Sequence, residues 1–110
     1  MERGDVFLVN LDPVVGSEVG KTRPAVVVQN DLANRSSPTV TVIPISSHLE
    51  RLFPFQVRIP AGEGGLKRES KALCEQIRTL SRERLVERLG RLSTERLLEI
   101  RTALDRHLWF

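Results

Sequence analysis

The segment from Gly16 to Gln29 constrains the fold of this chain more than any other stretch. It begins as a polar loop with two glycines, Gly16 and Gly20, and ends in the apolar run Ala-Val-Val-Val, whose β-branched residues are typical of a strand. Arg23 lies where the loop becomes the strand. A cation that a sheet holds beside a flexible loop is well placed to bind an anion.

The composition indicates a globular protein with one core. The chain has 110 residues, of which 40% are hydrophobic and 28% charged, so we expect residues 1–110 to form a single domain. No apolar run approaches the roughly 18 residues that a membrane span needs, and the N-terminus lacks the apolar segment of a signal peptide. We therefore expect a cytoplasmic protein with no membrane contact.

The charge balance allows a polyanionic partner without requiring one. Lys and Arg total 17 against 14 acidic residues, a net charge of +3. Only Lys21, Lys67 and Lys71 are lysines, and the remaining bases are arginines. Arginine favours bidentate phosphate contacts, but it also forms ordinary surface ion pairs.

Metal and cofactor chemistry find little support in the sequence. The single cysteine, Cys74, has apolar neighbours and is expected to be a buried thiol, and it allows neither an intrachain disulfide nor a cysteine zinc cluster. His48 and His107 are far apart and lack a carboxylate at ligand spacing. No phosphate loop, dinucleotide fingerprint or nucleophile elbow is present, so we expect no metal and no cofactor.

Five strands are predicted, followed by two helices. Pro44 in the third strand suggests an edge or a bulge there, and the fifth segment is ambiguous between helix and strand. The predicted strands are Asp5–Asn10, Pro24–Gln29, Thr39–Ile45, Phe53–Ile59 and Lys71–Thr79, with connections at Asn30–Pro38 and Pro60–Lys71. This order favours a mainly β fold, a small, mostly antiparallel and partly open β-barrel with C-terminal helices.

The C-terminal third is predicted to be helical. Ser81 is expected to cap a short helix that contains Leu85, Val86 and Leu89 and ends at Gly90. Ser93 or Thr94 is expected to cap a second, amphipathic helix with Leu97, Ile100, Leu104 and Leu108 at helical spacing. This helix either packs on its own barrel or, with Trp109 and Phe110, forms a partner surface.

Polar residues collect at the predicted strand ends. Arg23 begins the second strand, Ser46 and Ser47 end the third, and a group from Glu75 to Thr79 lies on the fifth. Arginine suits a phosphate whose charge grows during transfer, and a serine can donate to another phosphate oxygen. RNA supplies its own nucleophile, the 2′-hydroxyl, so such a site need only position it, neutralise charge and move protons. Taken alone, Arg23 could instead pair with Glu18 or Asp12, and Ser46 could be a turn residue.

These residues occur in a pattern that resembles the MazF/PemK toxins, the mRNA interferases of bacterial toxin–antitoxin pairs. The matching segments run in the family's order from residue 4 to about residue 80 and include Gly4-Asp5-Val6, Asp12-Pro13, Gly16-Ser17-Glu18, Arg23-Pro24-Ala25-Val26-Val27-Val28-Gln29-Asn30-Asp31, Val42-Ile43-Pro44-Ile45-Ser46, Phe53-Pro54-Phe55 and Glu75-Gln76-Ile77-Arg78-Thr79. The resemblance implies an SH3-like barrel of the CcdB/MazF type, a symmetric homodimer, a cognate antitoxin, and metal-independent, sequence-specific cleavage of single-stranded RNA.

The resemblance also implies roles for single residues. Arg23 stands at the position of the family's catalytic arginine, and Ser46, preferred over its neighbour Ser47, at that of the catalytic Thr or Ser. On chemical grounds, Glu18 is a candidate general base because Arg is a poor base, and His48 is an alternative acid because it is the only histidine near the proposed site. The residues expected to contact RNA are Gly16, Ser17, Lys21, Thr22, Ser47, His48, Glu75, Gln76 and Arg78.

Two other functions stay open at this stage. A non-enzymatic toxin of the CcdB type would bind gyrase through its C-terminal helix, and a silent relative would bind only its antitoxin. The Arg23-Pro24 and Glu75-Gln76-Ile77-Arg78 features favour the nuclease.

Overall fold

The computed structural model describes residues 1–109 and contains seven strands and two α-helices within them. The elements are β1 (Asp5–Asn10), β2 (Thr22–Val27), α1 (Asp31–Ser36), β3 (Thr39–Ser46), β4 (Gln56–Ile59), β5 (Ser70–Leu73), β6 (Arg78–Ser81), β7 (Leu85–Arg91) and α2 (Thr94–Leu108). Short 3₁₀ turns cover Glu63–Gly65, Cys74–Gln76 and Arg82–Arg84.

The strands form one antiparallel sheet in the order β4-β5-β3-β2-β1-β7, with β6 paired to the first half of β3. Within residues 1–109 its end strands β4 and β7 do not pair with each other, so the sheet stays open. The expectation of a mainly β, partly open fold is confirmed. The number of strands is not five but seven, and a single helix, α2, follows them.

Two apolar clusters lie on opposite faces of the sheet, because successive side chains of a strand point to opposite sides. Val26, Ile43 and Ile45 belong to the first cluster, which α2 covers with Ile100 and Ala103. The second cluster contains Val9, Leu11, Ala25, Val27, Val40, Val42 and Leu80. The expectation that the amphipathic helix packs on its own sheet is therefore confirmed for α2.

The fifth predicted strand, Lys71–Thr79, is two strands separated by a turn. β5 pairs with β4 and the end of β3, the chain then turns at Cys74–Gln76, and β6 pairs with the start of β3. Pro44 lies opposite this break, between Val42 and Ile45, and it is fully buried in a central strand. β3 is therefore not an edge strand, as was one expectation for Pro44, but Pro44 does lie at an irregularity, where the pairing of β3 with β6 has ended and that with β5 has not yet begun.

The short helix predicted after Ser81 is wrong. Ser81 does cap a turn, since its Oγ accepts from the Glu83 amide, but the turn covers only Arg82–Arg84. Leu85–Arg91 is the strand β7, which pairs with β1 through two register shifts. These shifts break the alternation that would have identified a strand from the sequence.

The remaining differences concern boundaries and one small helix. β2 begins at Thr22 instead of Pro24 and ends at Val27, and only the second half of the predicted strand Phe53–Ile59 is paired. The connection Asn30–Pro38 contains the helix α1, whose N-cap is Asn30. Ser93 caps α2, as one of the two predicted residues. Neither helix in residues 1–109 is long and apolar enough to cross a membrane.

Candidate active site at the start of strand β2

Arg23 is the second residue of β2 and lies beside the glycine loop. Its side chain is half-buried, and Nε donates a hydrogen bond to the Gly20 carbonyl oxygen at 2.9 Å. Within residues 1–109 the guanidinium forms no salt bridge, so the ion pair with Glu18 or Asp12 that the sequence left open is absent there. Its remaining N–H groups stay available for an anion.

The strand register places Ser46 on the same face as Arg23. Ala25 is the partner of Pro44 in the antiparallel pair of β2 and β3. Two residues further along both strands, Arg23 comes opposite Ser46, and directly opposed residues share a face of the sheet. Ser46 is 7% exposed, and its Oγ accepts from the His48 amide at 3.1 Å.

Arg78 projects toward the same face. It is the partner of Val42 in the pair of β3 and β6, and Val42 belongs to the second apolar cluster. One guanidinium nitrogen donates to the Leu11 carbonyl oxygen at 3.1 Å. The structure therefore aligns Arg23, Ser46 and Arg78 along one side of the sheet.

Gln76 connects the glycine loop to the turn between β5 and β6. Its Oε1 accepts from the Val19 amide at 2.8 Å, and Val19 packs against the second apolar cluster. The neighbouring Glu75 faces elsewhere, since its Oε2 accepts from Gln56 Nε2 at 2.8 Å. The other Glu75 oxygen, Oε1, is buried and has no hydrogen-bond partner within residues 1–109.

Glu18 is engaged within its own loop. Its Oε1 accepts from the Val15 amide at 2.6 Å, and its amide donates to the Val15 carbonyl oxygen. No hydrogen bond in residues 1–109 connects Glu18 or His48 side chains to Arg23. In this conformation the predicted base and the predicted acid are therefore not joined to the arginine.

The side chains of Asp12 and Val14 pack closely against Gly20 at the end of the glycine loop. A Cβ added to Gly20 would lie 2.6 Å from Asp12 Oδ1 and 2.8 Å from Val14 Cγ2. The same Asp12 oxygen accepts from the Lys21 amide at 2.8 Å, and Lys21 has a left-handed backbone with φ of 65°. A residue larger than glycine at position 20 would therefore require the Asp12 and Val14 side chains to move.

The other predicted contact residues lie on the outside of the same region. Exposed side chains or backbone occur at Gly16, Ser17, Lys21, Thr22, Ser47 and His48. Ser47 and Arg23 both line a groove of about 480 Å³ between the start of β2 and the loop before β5. Lys67, Arg68 and Glu87 line it as well; the sequence predicts a surface loop for the first two and a helix for Glu87, so it does not bring the three together.

Cys74 does not contribute a nucleophile. It is fully buried, as expected from its apolar neighbours, and burial raises the pKa of its thiol to about 12. The thiol is therefore protonated at neutral pH and unreactive. Residues 1–109 contain no group of three or more His, Cys, Asp and Glu side chains arranged to hold a metal ion.

Residues 2–108 match the family described as PemK-like, MazF-like toxin of type II toxin–antitoxin systems. Endoribonuclease MazF9 of Mycobacterium tuberculosis is 42% identical over 113 residues, which cover 98% of this chain and 96% of that protein.

Two solved structures show the same fold. The crystal structure of MazF from Deinococcus radiodurans has a TM-score of 0.87 at 28% identity and covers 100% of this chain and 97% of its own. A MazE–MazF structure from the same organism has a TM-score of 0.79 at 28% identity, with 98% and 95% covered. The resemblance noted from the strand-end residues is confirmed, and the chain belongs to the PemK-like, MazF-like toxin family of type II toxin–antitoxin systems.

Proposed function

We propose that this chain is the endoribonuclease toxin of a toxin–antitoxin pair and that it cleaves single-stranded RNA at specific sequences. The observation that carries the proposal is the register of β2 and β3 in a chain of this family: Ala25 pairs with Pro44, so Arg23, which forms no salt bridge within residues 1–109, comes opposite Ser46. The 42% identity to an endoribonuclease over nearly the whole length supports it.

In the proposed reaction Arg23 binds the scissile phosphate. The 2′-hydroxyl of the preceding ribose attacks phosphorus, and the P–O5′ bond breaks, which gives a 2′,3′-cyclic phosphate and a 5′-hydroxyl end. The phosphorane-like transition state carries additional negative charge, which a guanidinium stabilises through bidentate donation. Ser46 donates a hydrogen bond from its hydroxyl to a nonbridging oxygen; the His48 amide donates to Ser46 Oγ, which leaves the hydroxyl hydrogen free to do so.

The reaction moves one proton from the 2′-hydroxyl and delivers one to the leaving 5′-oxygen. Glu18 is the proposed base and His48 the alternative acid, and both are exposed near the start of β2 and the end of β3. Glu18 must release the Val15 amide to act, so its use requires the glycine loop to rearrange on RNA binding. The reaction needs no metal, because the nucleophile belongs to the RNA and Arg23 supplies the positive charge.

The proposed RNA path follows the exposed positions of the glycine loop and the strand ends. Hydrogen bonding from Gly16, Ser17, Lys21, Thr22, Ser47, His48, Gln76 and Arg78 is proposed to hold unpaired nucleotides, and Glu75, which accepts from Gln56, has no part in this proposal. Lys21 and Arg78 contribute positive charge to this path, and phosphate contacts of this kind position a strand without reading its bases. Single-stranded RNA exposes its base edges, which allows loop residues to read them.

The proposal extends to assembly and cellular context. We propose that residues 1–110 act as one domain, as a homodimer in the cytoplasm, and that a cognate antitoxin covers the RNA-binding surface. The related MazF of Deinococcus radiodurans has been solved with MazE, which supports an antitoxin of that kind. The net charge of +3 suits an acidic antitoxin segment that orders on binding.

The decisive experiment is cleavage of a panel of unstructured RNAs by the purified protein in the presence of a chelator. We expect cleavage with cyclic-phosphate products, and a rate reduced about 100-fold or more in Arg23→Ala and in Ser46→Ala, as for loss of one transition-state donor. Arg101→Ala, an exposed arginine on α2, is the matched control. Full activity of Arg23→Ala, with the dimer intact by light scattering, would refute the proposed role.

A further inference from the structure

Lys71 is a buried cation to which the protein supplies no counter-ion. It is the second residue of β5 and is only 8% exposed. Within residues 1–109 it forms no salt bridge, and its ammonium donates one hydrogen bond, to the Arg51 carbonyl oxygen at 2.6 Å. A lysine ammonium has three N–H donors, so two of them stay unused. Because a buried charge without a partner destabilises a fold, this position suits an anion that arrives from outside the chain.

The strand register places Lys71 next to Ser46. The two residues are direct partners in the antiparallel pair of β3 and β5. Direct partners share a face of the sheet, with Cβ atoms about 4.5–5.5 Å apart. The adjacent partners Ile45 and Ala72 belong to the first apolar cluster. Ser46 and Lys71 therefore project from the other face, which is the face that carries Arg23.

A row of three side chains crosses this face. β3 lies between β2 and β5, so Arg23 is on one side of Ser46 and Lys71 is on the other. Neighbouring strands are about 4.7–4.9 Å apart, which separates the backbones at Arg23 and Lys71 by about 10 Å. Both side chains are long, so a phosphate that binds to Ser46 comes within reach of two cations.

The next cation in the row, Arg58, is already paired. It is the β4 partner of Lys71, and its Nε lies 3.1 Å from Glu69 Oε1. Both side chains of this pair are about half exposed, so solvent screens their charges as well. Lys71 is therefore the cation on the β5 side of Ser46 that has no carboxylate partner in the described part of the chain.

The hydrogen bond to Arg51 holds the ammonium of Lys71 in place. Arg51 lies in the loop that follows Ser46, the last residue of β3, so this bond anchors the ammonium to the loop that leaves the serine. A side chain that is fixed during folding loses less conformational entropy when it binds a ligand. With two donors unused, Lys71 can keep the Arg51 bond and donate to a phosphate oxygen at the same time.

We propose that Lys71 is a second catalytic cation, which donates a hydrogen bond to a nonbridging oxygen of the scissile phosphate on the side of Ser46 away from Arg23. The inference rests on the proposed endoribonuclease function. The ammonium keeps its proton and forms no covalent bond. It stabilises the additional negative charge that the phosphate gains as the 2′-hydroxyl attacks, and a fixed donor of this kind acts mainly on the transition state.

A purely structural lysine is the competing explanation. Its aliphatic stem would fill space beside β3 and β4, and its ammonium would only hold the loop through Arg51. The two explanations differ in the effect of Lys71→Met, since methionine keeps an unbranched side chain and removes the charge. A catalytic cation predicts slow cleavage by a stable protein, whereas a structural lysine predicts a less stable protein.

The first test compares single-turnover cleavage of RNA by the wild type and the Lys71 variants. Lys71→Met should slow the cleavage step about 100-fold, the loss typical of one transition-state donor. Its affinity for the same RNA in fully 2′-O-methylated form, which has no nucleophile, should change by less than about fivefold. Lys71→Arg restores the charge and should recover at least about tenfold of the lost rate.

Arg58→Met is the matched control, because it removes the same charge one strand further along the row. It should change the cleavage rate by less than about twofold, since Arg58 is exposed and paired with Glu69. Urea denaturation of Lys71→Met should give a midpoint equal to or above that of the wild type, because the variant no longer buries an unpaired charge.

The second test observes the contact by NMR and does not depend on cleavage. The chain has only the lysines Lys21, Lys67 and Lys71, so lysine labelled with ¹³C at Cε gives three side-chain signals, which single Lys→Arg variants assign. The fully 2′-O-methylated RNA should shift the Lys71 signal of the wild type. A peptide nucleic acid of the same sequence has no phosphate and should leave that signal unshifted.

The outcomes separate this inference from the proposed function. Cleavage by the wild type at an unchanged rate in Lys71→Met would overturn the role of Lys71 and leave the endoribonuclease intact. Equal losses of rate in Lys71→Met and Lys71→Arg, with a lowered urea midpoint in Lys71→Met, would overturn it in favour of the structural lysine. No cleavage by the wild type, with the Lys71 signal shifted by the methylated RNA, would overturn the endoribonuclease and retain Lys71 as a phosphate-binding residue.

Discussion

At the scale of single residues, Gln76 joins two parts of the proposed site through one hydrogen bond. It lies in the turn between β5 and β6, and its Oε1 accepts a hydrogen bond from the Val19 amide, more than fifty residues earlier in the chain. This hydrogen bond links the turn to the glycine loop. From the sequence Gln76 was predicted to contact RNA. In the free protein its carbonyl oxygen is already engaged, so the same residue also positions the loop.

This dual role predicts a local change in Gln76→Ala. Loss of the acceptor should expose the Val19 amide and speed its hydrogen exchange about fivefold, which corresponds to roughly 1 kcal/mol for a hydrogen bond. Gln76→Glu keeps an acceptor oxygen at this position and should retain the protection. Amide exchange by NMR measures this, with the Leu11 amide, which donates to the Lys21 carbonyl, as the internal reference. Equal Val19 exchange in wild type and Gln76→Ala would contradict the positioning role.

A second residue pair carries a pH dependence. Arg96 Nη2 lies 3.1 Å from Glu63 Oε1, and both side chains are mostly buried. Burial acts to raise the pKa of Glu63, but its hydrogen bonds with Arg96 and Ser93 outweigh this effect, and the pKa lies below its usual value of 4.5. Hydrogen bonding to Glu63 raises the pKa of Arg96, which stays charged throughout the accessible range.

Because the folded pKa of Glu63 is the lower one, its contribution to stability is complete above pH 4.5 and is lost as the pH falls through the folded pKa. Glu63→Gln should therefore lower the free energy of unfolding by about 1 kcal/mol at pH 7 and by less at pH 3. Urea denaturation of both proteins at the two pH values measures the difference. An equal loss at pH 3 and pH 7 would show that the charge of Glu63 is not responsible.

At the scale of elements, β7 is where sequence and structure differ most. Leu85, Val86 and Leu89 have spacing that a helix could use, and Ser81 supplies a true N-cap. β7 pairs with the edge of β1 that β2 leaves free, and the turn Glu63–Gly65 packs against β7. These two sets of contacts stabilise the strand. Both involve residues that are distant in the sequence, so no local pattern near residue 85 predicts them.

Gly90 is the residue that permits this packing. A Cβ at position 90 would lie 2.5 Å from the Gly64 carbonyl carbon and 2.7 Å from the Gly65 nitrogen, both of them backbone atoms that cannot move independently. Gly90→Ala should therefore lower the free energy of unfolding by about 1–3 kcal/mol. Val86→Ala, on an exposed position of the same strand, should change it by less than about 0.5 kcal/mol.

Chemical denaturation distinguishes the two variants. A stability of Gly90→Ala within error of the wild type would mean that the Glu63–Gly65 turn can move away from β7 without cost. In that case the groove lined by Gly65 and Leu66 would also be adjustable, and methyl signals of Leu66 would report the change.

At the scale of the whole molecule, the C-terminus distinguishes the nuclease from the gyrase-binding alternative. α2 packs through Ile100 and Ala103, whereas Trp109 beyond it is 86% exposed. Phe110, the other residue of the proposed partner surface, lies outside the described residues. Family membership favours the nuclease, and Trp109 has no proposed part in cleavage.

Trp109→Ala should therefore leave RNA cleavage unchanged within about twofold and stability within about 0.5 kcal/mol, because its side chain buries little surface. Cleavage assays measure the first expectation and chemical denaturation the second, and growth of cells that express the variant measures its toxicity. Loss of toxicity in Trp109→Ala with RNA cleavage retained would instead support a target bound through the C-terminus.

The sequence by itself determined the family, the mainly β class, the strands β1 and β3, and the capped helix α2, because each rests on local periodicity, a cap, or an ordered set of matching residues. It also marked Arg23 and Ser46 as strand-end residues. Only the tertiary structure decided that these two face each other, that Lys71–Thr79 divides at a turn, and that Leu85–Arg91 is a strand. The reason is physical: strand register, partner choice and the groove between Arg23 and Glu87 depend on contacts between distant residues, which local sequence preferences do not encode.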